Sequence, residues 1–186
     1  MSVARPEKPQ ERELKFAGIE LGALRERLVE LEAERVAAAA FEDNWIFDRD
    51  GELLADERVL RLRIDGQGAE LTFKGAPRFA GNAKVRVELQ TRVADAEQMR
   101  SLLEALGYRV ARRYQKMREE WRLGGVVVAL DHTPIGDFAE LEGSGCEKLA
   151  RRCGLAPEKA ERRTYLQLYE EYLREHPEAP PEMTFE

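Results

Sequence analysis

The feature that most constrains the fold is a charged alternation that begins at Glu11. Glu11, Glu13 and Lys15 are separated by single residues, so on a strand their side chains point to the same face. The same spacing of two recurs in four later segments, and Lys74 ends a further apolar segment. The sequence therefore predicts an antiparallel sheet with one heavily charged face, whose later members are Arg61 and Arg63, Arg86 and Glu88, Lys116 and Arg118, and Glu140 and Glu142.

Two arrangements of this sheet are consistent with the alternation. Any one strand, taken alone, is typical of an antiparallel sheet whose charged face is solvated. If the sheet curves and its apolar face packs against helices, the charged face is instead turned inward, toward a lumen. The period of two is the same in both cases, so it leaves open which face is inside. The apolar positions are Leu60, Leu62, Ile64, Val85, Val87 and Leu89.

Periodicity and turn residues predict the other elements of the first half. Residues 19–40 carry an apolar stripe with a helical period, which predicts an amphipathic helix, and residues 41–48 look extended. Asp95 is a candidate N-cap of a helix, and Gly107 stands where that helix would end. The predicted strands lie at 59–64, 70–74 and 84–90, with a tight turn before the second and a loop at 75–82 before the third.

The second half also places strands before helices. Residues 108–123 and 126–131 are predicted to form two long strands around a glycine turn, and residues 138–142 form a third strand. A short helix follows the glycine-rich segment 143–145, and a longer one is predicted to begin at Ala156 and Pro157. Three tyrosines of this longer helix have the spacing of a packing face, namely Tyr165, Tyr169 and Tyr172.

Length and composition favour one cytoplasmic domain. The 186 residues are 43% hydrophobic, enough to bury one ordinary core. A net charge of -6 and a pI near 5.3 argue against nucleic acid as a partner. No apolar stretch reaches the roughly 20 residues that cross a bilayer, and two cysteines without a preceding secretory segment indicate a reducing compartment. We expect a loose arm at 1–10, one domain at 11–176 and a tail at 177–186.

The charged face has the chemistry of a site for a phosphate chain. Paired carboxylates offer hard oxygen ligands, which suit Mg²⁺ or Mn²⁺ better than Zn²⁺. Arginine grips phosphate oxygens in a bidentate fork, and lysine acts as a point charge. A chain that is acidic overall can still concentrate such cations in a cleft. The sequence therefore predicts a metal-assisted polyphosphate site.

The ordered set of charges resembles that of the CYTH superfamily, the triphosphate tunnel metalloenzymes, over about residues 11–172. The family hallmark E-x-E-x-K appears as Glu11, Glu13 and Lys15. The resemblance implies an α+β fold, an eight-stranded antiparallel β-barrel with helices packed outside and a triphosphate lying along its charged lumen. The chain departs from the family at two points, because residues 44–48 contain no tyrosine and Gln90 replaces the last acid of the R-x-E-x-E strand.

The resemblance also implies a role for each charged residue. One or two Mg²⁺ or Mn²⁺ ions would be held by carboxylates of Glu11, Glu13, Glu88, Asp131, Glu140 and Glu142. The phosphate chain would be bound by the cations Lys15, Arg61, Arg63, Lys74, Arg86, Lys116 and Arg118. Among these cations, the catalytic role is assigned to Lys15 and Lys116.

The leading hypothesis is a divalent-metal-dependent hydrolase of triphosphate compounds, namely tripolyphosphate, a nucleoside triphosphate or thiamine triphosphate. The alternatives are a class IV adenylyl cyclase that makes cyclic AMP and pyrophosphate from ATP, and a non-enzymatic polyphosphate-binding module. The expected partner is a small-molecule triphosphate, without nucleic acid or membrane, and a homodimer is one state to test. The phosphate-loop, HExxH and GxSxG signatures are missing, and His132 is expected to be a surface or loop residue.

Overall fold

An antiparallel sheet that closes on itself forms the body of the fold. The structure, a computed structural model, describes residues 10–185. In chain order the elements are β1 (Gln10–Ala17), α1 (Leu21–Glu30), β2 (Glu34–Asp48), β3 (Val59–Asp65), β4 (Gly68–Lys74), β5 (Arg78–Ala80), β6 (Ala83–Val93), α2 (Ala96–Ala105), β7 (Arg109–Leu123), β8 (Val126–Thr133), β9 (Gly136–Gly143), α3 (Cys146–Arg152) and α4 (Tyr165–Glu175). The strand order is β1-β9-β8-β7-β2-β3-β4-β6, and pairing of β1 with β6 closes an eight-stranded barrel. The short β5 pairs with β6 beside it.

The charged face of the sheet is the inner one. Glu11, Glu13 and Lys15 are buried in the barrel, whereas Leu14 and Phe16 of the same strand pack outward against α1 and α3. The helix α2 covers the outer face of β2, β3 and β4, and α4 packs against a separate apolar cluster. The predicted barrel with helices outside is confirmed. The apolar face of the sheet is covered by α1, α2 and α3, which leaves the charged face toward the lumen.

The helix predicted at 19–40 is wrong in its second half. The helix α1 ends at Glu30, and Glu32 adopts a left-handed φ of 58° that turns the chain. Residues 34–48 then form β2, which pairs with β7 over most of its length, with shifts of register. The run of alanines has a high helix propensity, but the ladder of hydrogen bonds to a long partner strand outweighs that local preference.

The helix predicted from Ala156 and Pro157 begins later than expected. The segment Pro157–Lys159 forms only a single 3₁₀ turn, after which the chain runs extended beside β1. The helix α4 starts at Tyr165, because Thr164 and Gln167 satisfy each other's backbone N–H groups in a capping box. The capping box is a start signal that the sequence carries and that the prediction overlooked.

The other predicted helix signals agree with the structure. Asp95 caps α2 by accepting a hydrogen bond of 3.0 Å from the backbone N–H of Gln98, and Gly107 follows the helix with a φ of 91°. The predicted loop at 75–82 contains the short strand β5, which finds a partner only once β6 is in place.

Both ends of the described chain contact the barrel. Of the predicted arm at 1–10, residues 1–9 lie outside the described residues, and Gln10 begins β1. In the predicted tail, Met183 is buried and exchanges backbone hydrogen bonds with Gln115 and Arg113 of β7. The segment after α4 therefore packs onto the barrel.

Replacing Gly143 with alanine is expected to destabilise the protein by about 2–6 kcal/mol. Gly143 ends β9 with a φ of 126°, and a Cβ atom there would lie 2.2 Å from the carbonyl oxygen of Gly125. Strained backbone and steric displacement each cost about 1–3 kcal/mol. Urea unfolding of Gly143→Ala measures the loss. Gly124→Ala is the matched control, because its φ of 58° is also left-handed but its Cβ would meet no atom within 4 Å; equal losses in both variants would contradict the steric explanation.

Candidate active site

The barrel encloses a cavity of about 650 Å³ that brings the predicted site residues together. All seven predicted cations line it, and so do five of the six predicted metal ligands. The exception is Asp131, which is fully buried and contacts the lining residues Lys116 and Arg118. Lining residues that were not predicted to belong to the site include Glu70, Lys84, Tyr114, Glu120 and Tyr165.

One group of carboxylates has the arrangement of a cation site. Carboxylate oxygens of Glu11, Glu88 and Glu142 all lie within 4.8 Å of one another; this group is called the acid triad below. Lys74 donates to Glu11 at 2.6 Å and lies 3.1 Å from Glu88, and Arg86 donates to Glu11 at 3.2 Å. Three carboxylate oxygens are a donor set that fits a hard divalent cation such as Mg²⁺ or Mn²⁺. Lys74 and Arg86 hold the carboxylate of Glu11 in place beside the other lumenal cations.

A second group is organised by Asp131. Its carboxylate accepts hydrogen bonds from Lys116 at 3.1 Å, from Arg118 at 2.6 and 2.7 Å, and from the phenol of Tyr165 at 2.7 Å. With three donors on a fully buried carboxylate, its lone pairs are largely occupied. Asp131 therefore fixes the positions of two lumenal cations. It lies apart from the acid triad, and its role as a metal ligand stays a prediction.

Glu140 connects this group to Lys15. Its carboxylate lies 3.2 Å from Lys15 and also accepts a hydrogen bond from Arg118. Burial opposes ionisation, but the cations Lys15 and Arg118 hold the pKa of Glu140 well below its usual range. Burial and the negative charge of Glu140 instead raise the pKa of Glu13, its neighbour in the lumen. Lys15 and Arg118 thus favour the ionised form of Glu140, whereas burial and repulsion by Glu140 dominate at Glu13.

Glu42 and Glu70 were missed by sequence reasoning. Arg63 donates to Glu42 at 3.3 Å and to Glu70 at 2.9 Å, and Lys116 lies 3.6 Å from Glu42. Burial opposes ionisation, yet Lys116 and Arg118 lower the pKa of Glu42 to about 2. Glu70 was detectable, because it lies on the same face as Lys74 at the period of two. Glu42 lies in the predicted extended segment 41–48, where the next two residues at its period of two are uncharged, so its own strand shows no charged alternation.

Two phenols reach the lumen although residues 44–48 contain no tyrosine. Arg61 lies 3.4 Å from the hydroxyl of Tyr114, and the ammonium of Lys15 lies 3.9 Å from the ring centroid of Tyr165. Burial opposes the ionisation of Tyr114, but Arg61 and Lys116 lower its pKa. Tyr165 was predicted only to pack. It does so against Tyr114 and Phe138, and its hydroxyl also serves the site.

Lys84 is the lumenal cation with the most distinctive surroundings among those the sequence missed. The residue is 7% exposed, and within residues 10–185 it makes neither a salt bridge nor a side-chain hydrogen bond. Burial and the positive charge of Lys15 lower the pKa of Lys84 to about 8. The period of two in β6 could have revealed it, because Lys84 precedes Arg86 and Glu88 at the same spacing.

His132 lies outside this site, as expected. Its side chain is 58% exposed, and its Nδ1 atom lies 2.7 Å from a carboxylate oxygen of Asp137. The ring also stacks on Phe185 near the end of the chain. These contacts place the imidazole on the outside of the barrel wall.

Replacing Glu142 with glutamine is expected to raise the melting temperature of the metal-free protein at pH 8. Partial burial and the charge of Glu11 raise the pKa of Glu142 to about 7 in the folded state, from 4.5. A raised carboxyl pKa means that ionisation destabilises the fold, so the cost is absent below about pH 4.5 and is complete above pH 7.

Melting curves at pH 5 and pH 8 test this expectation. The stabilisation by Glu142→Gln should be larger at pH 8, whereas the exposed control Glu34→Gln should change little at either pH. A stabilisation of Glu142→Gln that is the same at both values would show that the charge of Glu142 is not the cause.

Comparisons with known proteins agree with the barrel fold and with the family resemblance. The family described as the CYTH domain matches residues 9–149. A protein of Methanocaldococcus jannaschii named "Putative adenylate cyclase" is 28% identical over 104 residues, which cover 55% of this chain and 59% of that protein. The match thus spans under two thirds of the relative's length.

Several solved structures share the fold. A Pyrococcus horikoshii OT3 protein has a TM-score of 0.72 at 23% identity, and the match covers 85% of this chain and 98% of that protein. A second protein of the same organism has a TM-score of 0.70 at 26% identity, and its match covers 87% of this chain and 99% of that protein. A Hippeastrum protein, described as a "putative adenylyl cyclase" with a dominant triphosphatase activity, has a TM-score of 0.65 at 16% identity, and the match covers 87% of this chain and 96% of that protein. Because the CYTH domain match covers most of this chain, residues 9–149, the chain belongs to the CYTH domain family.

Proposed function

We propose that this protein hydrolyses triphosphate compounds in the lumen of its barrel, with Mg²⁺ or Mn²⁺ as the cofactor. The observation that carries the proposal is the acid triad, which lies beside Lys74 and Arg86 in a cavity lined by further cations. Members of the CYTH family act on triphosphates, as triphosphatases or as adenylyl cyclases. A cavity walled by both charge types suits a polyanion and its metal ion together.

The cations of the lumen would bind and orient the phosphate chain. Phosphoryl transfer depends mainly on positioning and on neutralising charge, so fixed guanidinium and ammonium groups are suited to it. Arg61 is available for this role, since its recorded side-chain hydrogen bond goes to the neutral phenol of Tyr114. Lys15 and Lys116, oriented by Glu140 and Asp131, are the proposed catalytic cations, because they would stabilise charge that develops on the transferred phosphoryl group.

Glu11, Glu88 and Glu142 would hold the divalent ion. When bound, such an ion polarises phosphoryl oxygens and lowers the pKa of bound water. Glu13, Glu140 and Asp131 stay proposed ligands, although Glu140 and Asp131 contact cations that they are well placed to orient. None of the helices within residues 10–185 is long and apolar enough to cross a membrane, and the proposed substrate is a small molecule.

Product analysis tests the proposal directly. The purified protein is incubated with tripolyphosphate, ATP or thiamine triphosphate, each with Mg²⁺, with Mn²⁺ and with a chelator. Orthophosphate release that requires the metal would support hydrolysis and would rank the three substrates. Triphosphate binding without any product would contradict hydrolysis and would favour the non-enzymatic binding module.

An adenylyl cyclase is the second candidate, favoured by the name of the M. jannaschii relative. Cyclisation of ATP releases pyrophosphate and forms cyclic AMP, whereas hydrolysis of the terminal phosphoanhydride releases orthophosphate. The same incubation with ATP therefore separates the two activities. Cyclic AMP with a matching amount of pyrophosphate would overturn the proposed hydrolase.

A further inference from the structure

Lys84 is the second residue of β6, and its side chain enters the lumen from the strand that also carries Arg86 and Glu88. It lies opposite Glu13 in the pairing of β1 with β6, and opposite Phe79 in the pairing of β5 with β6. The surrounding barrel shields this position from solvent, since the residue is only 7% exposed. The strand geometry thus commits this ammonium group to the interior.

The neighbouring cations differ from Lys84 in having carboxylate partners. Lys15 lies 3.2 Å from Glu140, Lys74 lies 2.6 Å from Glu11, and Arg86 lies 3.2 Å from Glu11. Lys84 makes no salt bridge in the part of the chain that the structure describes. Burying a charge without a partner is costly, so a protein retains one where an anion from outside balances it.

The surroundings define the kind of anion. The charged groups around Lys84 are the cations Lys15 and Arg86 and the carboxylates of Glu13 and Glu140. Three cations from two adjacent strands therefore converge, and two of them are already partly neutralised by protein carboxylates. A phosphoryl group can accept hydrogen bonds from several such donors through separate oxygens. A halide, with a single centre, would not use this arrangement.

We propose that Lys84 is a substrate-binding residue, which together with Lys15 and Arg86 binds one phosphoryl group of the triphosphate. The inference rests on the proposed function, because it assigns a further contact to the same lumen. The role requires the positive charge of Lys84 and no metal ion. Binding without divalent cations therefore tests it separately from turnover.

Calorimetry with tripolyphosphate in the presence of a chelator is the decisive experiment. Lys84→Met, which keeps most of the length of the side chain, should bind tripolyphosphate about 10-fold to 100-fold more weakly than the native protein, as expected for a lost charge-assisted hydrogen bond. The control Lys148→Met removes an exposed lysine of α3 and should leave the affinity unchanged. Equal affinity in native protein and Lys84→Met would overturn the inference.

The melting temperature without ligand provides a second readout. Removing an unpaired buried charge should raise the melting temperature of Lys84→Met, and tripolyphosphate should then raise it by less than in the native protein. A purely structural role for Lys84 predicts the opposite, a lower melting temperature with unchanged binding. Lys84→Gln, which keeps a polar end group, takes its place if the methionine variant does not fold.

The outcomes separate the two proposals. Turnover of a triphosphate by the native protein, with unchanged tripolyphosphate binding in Lys84→Met, would leave the hydrolase standing and overturn the role of Lys84. If the native protein shows no turnover but its tripolyphosphate binding depends on Lys84, the hydrolase is overturned and the role of Lys84 stands. If the native protein does not bind tripolyphosphate with or without Mg²⁺, and releases no phosphate from any of the three triphosphates, both proposals are wrong.

Discussion

Asp131→Asn is expected to lower the free energy of unfolding by about 3–5 kcal/mol, because it removes a fully buried negative charge to which two cations and a phenol donate hydrogen bonds. Lys116, Arg118 and Tyr165 all donate to this carboxylate. Asparagine keeps the size of the side chain but provides one acceptor oxygen and no charge. For a domain of this length, the loss corresponds to a fall of about 6–20 °C in melting temperature.

Chemical unfolding at neutral pH measures the effect. Asp137→Asn is the control, because Asp137 is paired with exposed His132, where ion pairs contribute at most about 1 kcal/mol. Similar losses in the two variants would mean that Asp131 does not hold the buried cations together. If Asp131→Asn stays folded, weaker tripolyphosphate binding should accompany the loss of stability, since Lys116 and Arg118 would no longer be fixed.

Glu11→Gln is expected to reduce metal-dependent turnover at least about 100-fold, which is the scale for losing one preorganised electrostatic group of an active site. Glu11 is the member of the acid triad with the most contacts, since it also accepts hydrogen bonds from Lys74 and Arg86. Glutamine retains the shape but removes the charge that attracts a divalent ion. The Mg²⁺ concentration for half-maximal activity should therefore rise as well.

Steady-state rates over a series of Mg²⁺ concentrations test this prediction. The control Glu20→Gln changes an exposed carboxylate just before α1 and should leave both the rate and the metal dependence unaltered. A Glu11→Gln variant with a normal Mg²⁺ dependence would place the cofactor elsewhere in the lumen. If saturating Mg²⁺ restores full turnover, the role of Glu11 is to raise the affinity for the metal ion and not to support the chemical step.

The grouping of the candidate site was foreseeable to a large extent. Strand side chains alternate strictly, so the positions of Glu11, Glu13 and Lys15 on one face follow from their spacing alone. The same rule, applied further, would have included Lys84 and Glu70. The division of the acids into a triad and a separate Asp131 group was not foreseeable, because it depends on which residues face each other across the lumen.

The two errors in the predicted elements have different causes. The alanine-rich end of the predicted helix at 19–40 is helical by local propensity, but in the fold it pairs with β7. The start of α4 was missed for a different reason, since Thr164 and Gln167 carry a local capping signal that was outweighed by the proline at 157. The first error needed tertiary information, and the second only a closer reading.

By itself, the sequence determined the charged strand face, the caps of α2 and the apolar stripes of the helices, because each depends on a local period or a local hydrogen bond. Only the tertiary structure decided that this face lies inside, that residues 34–40 form a strand and that Lys84 makes no salt bridge among residues 10–185. These features depend on barrel closure through β1 and β6, which brings together residues distant in sequence. Once the barrel is closed, pairing and burial across the lumen outweigh local preference.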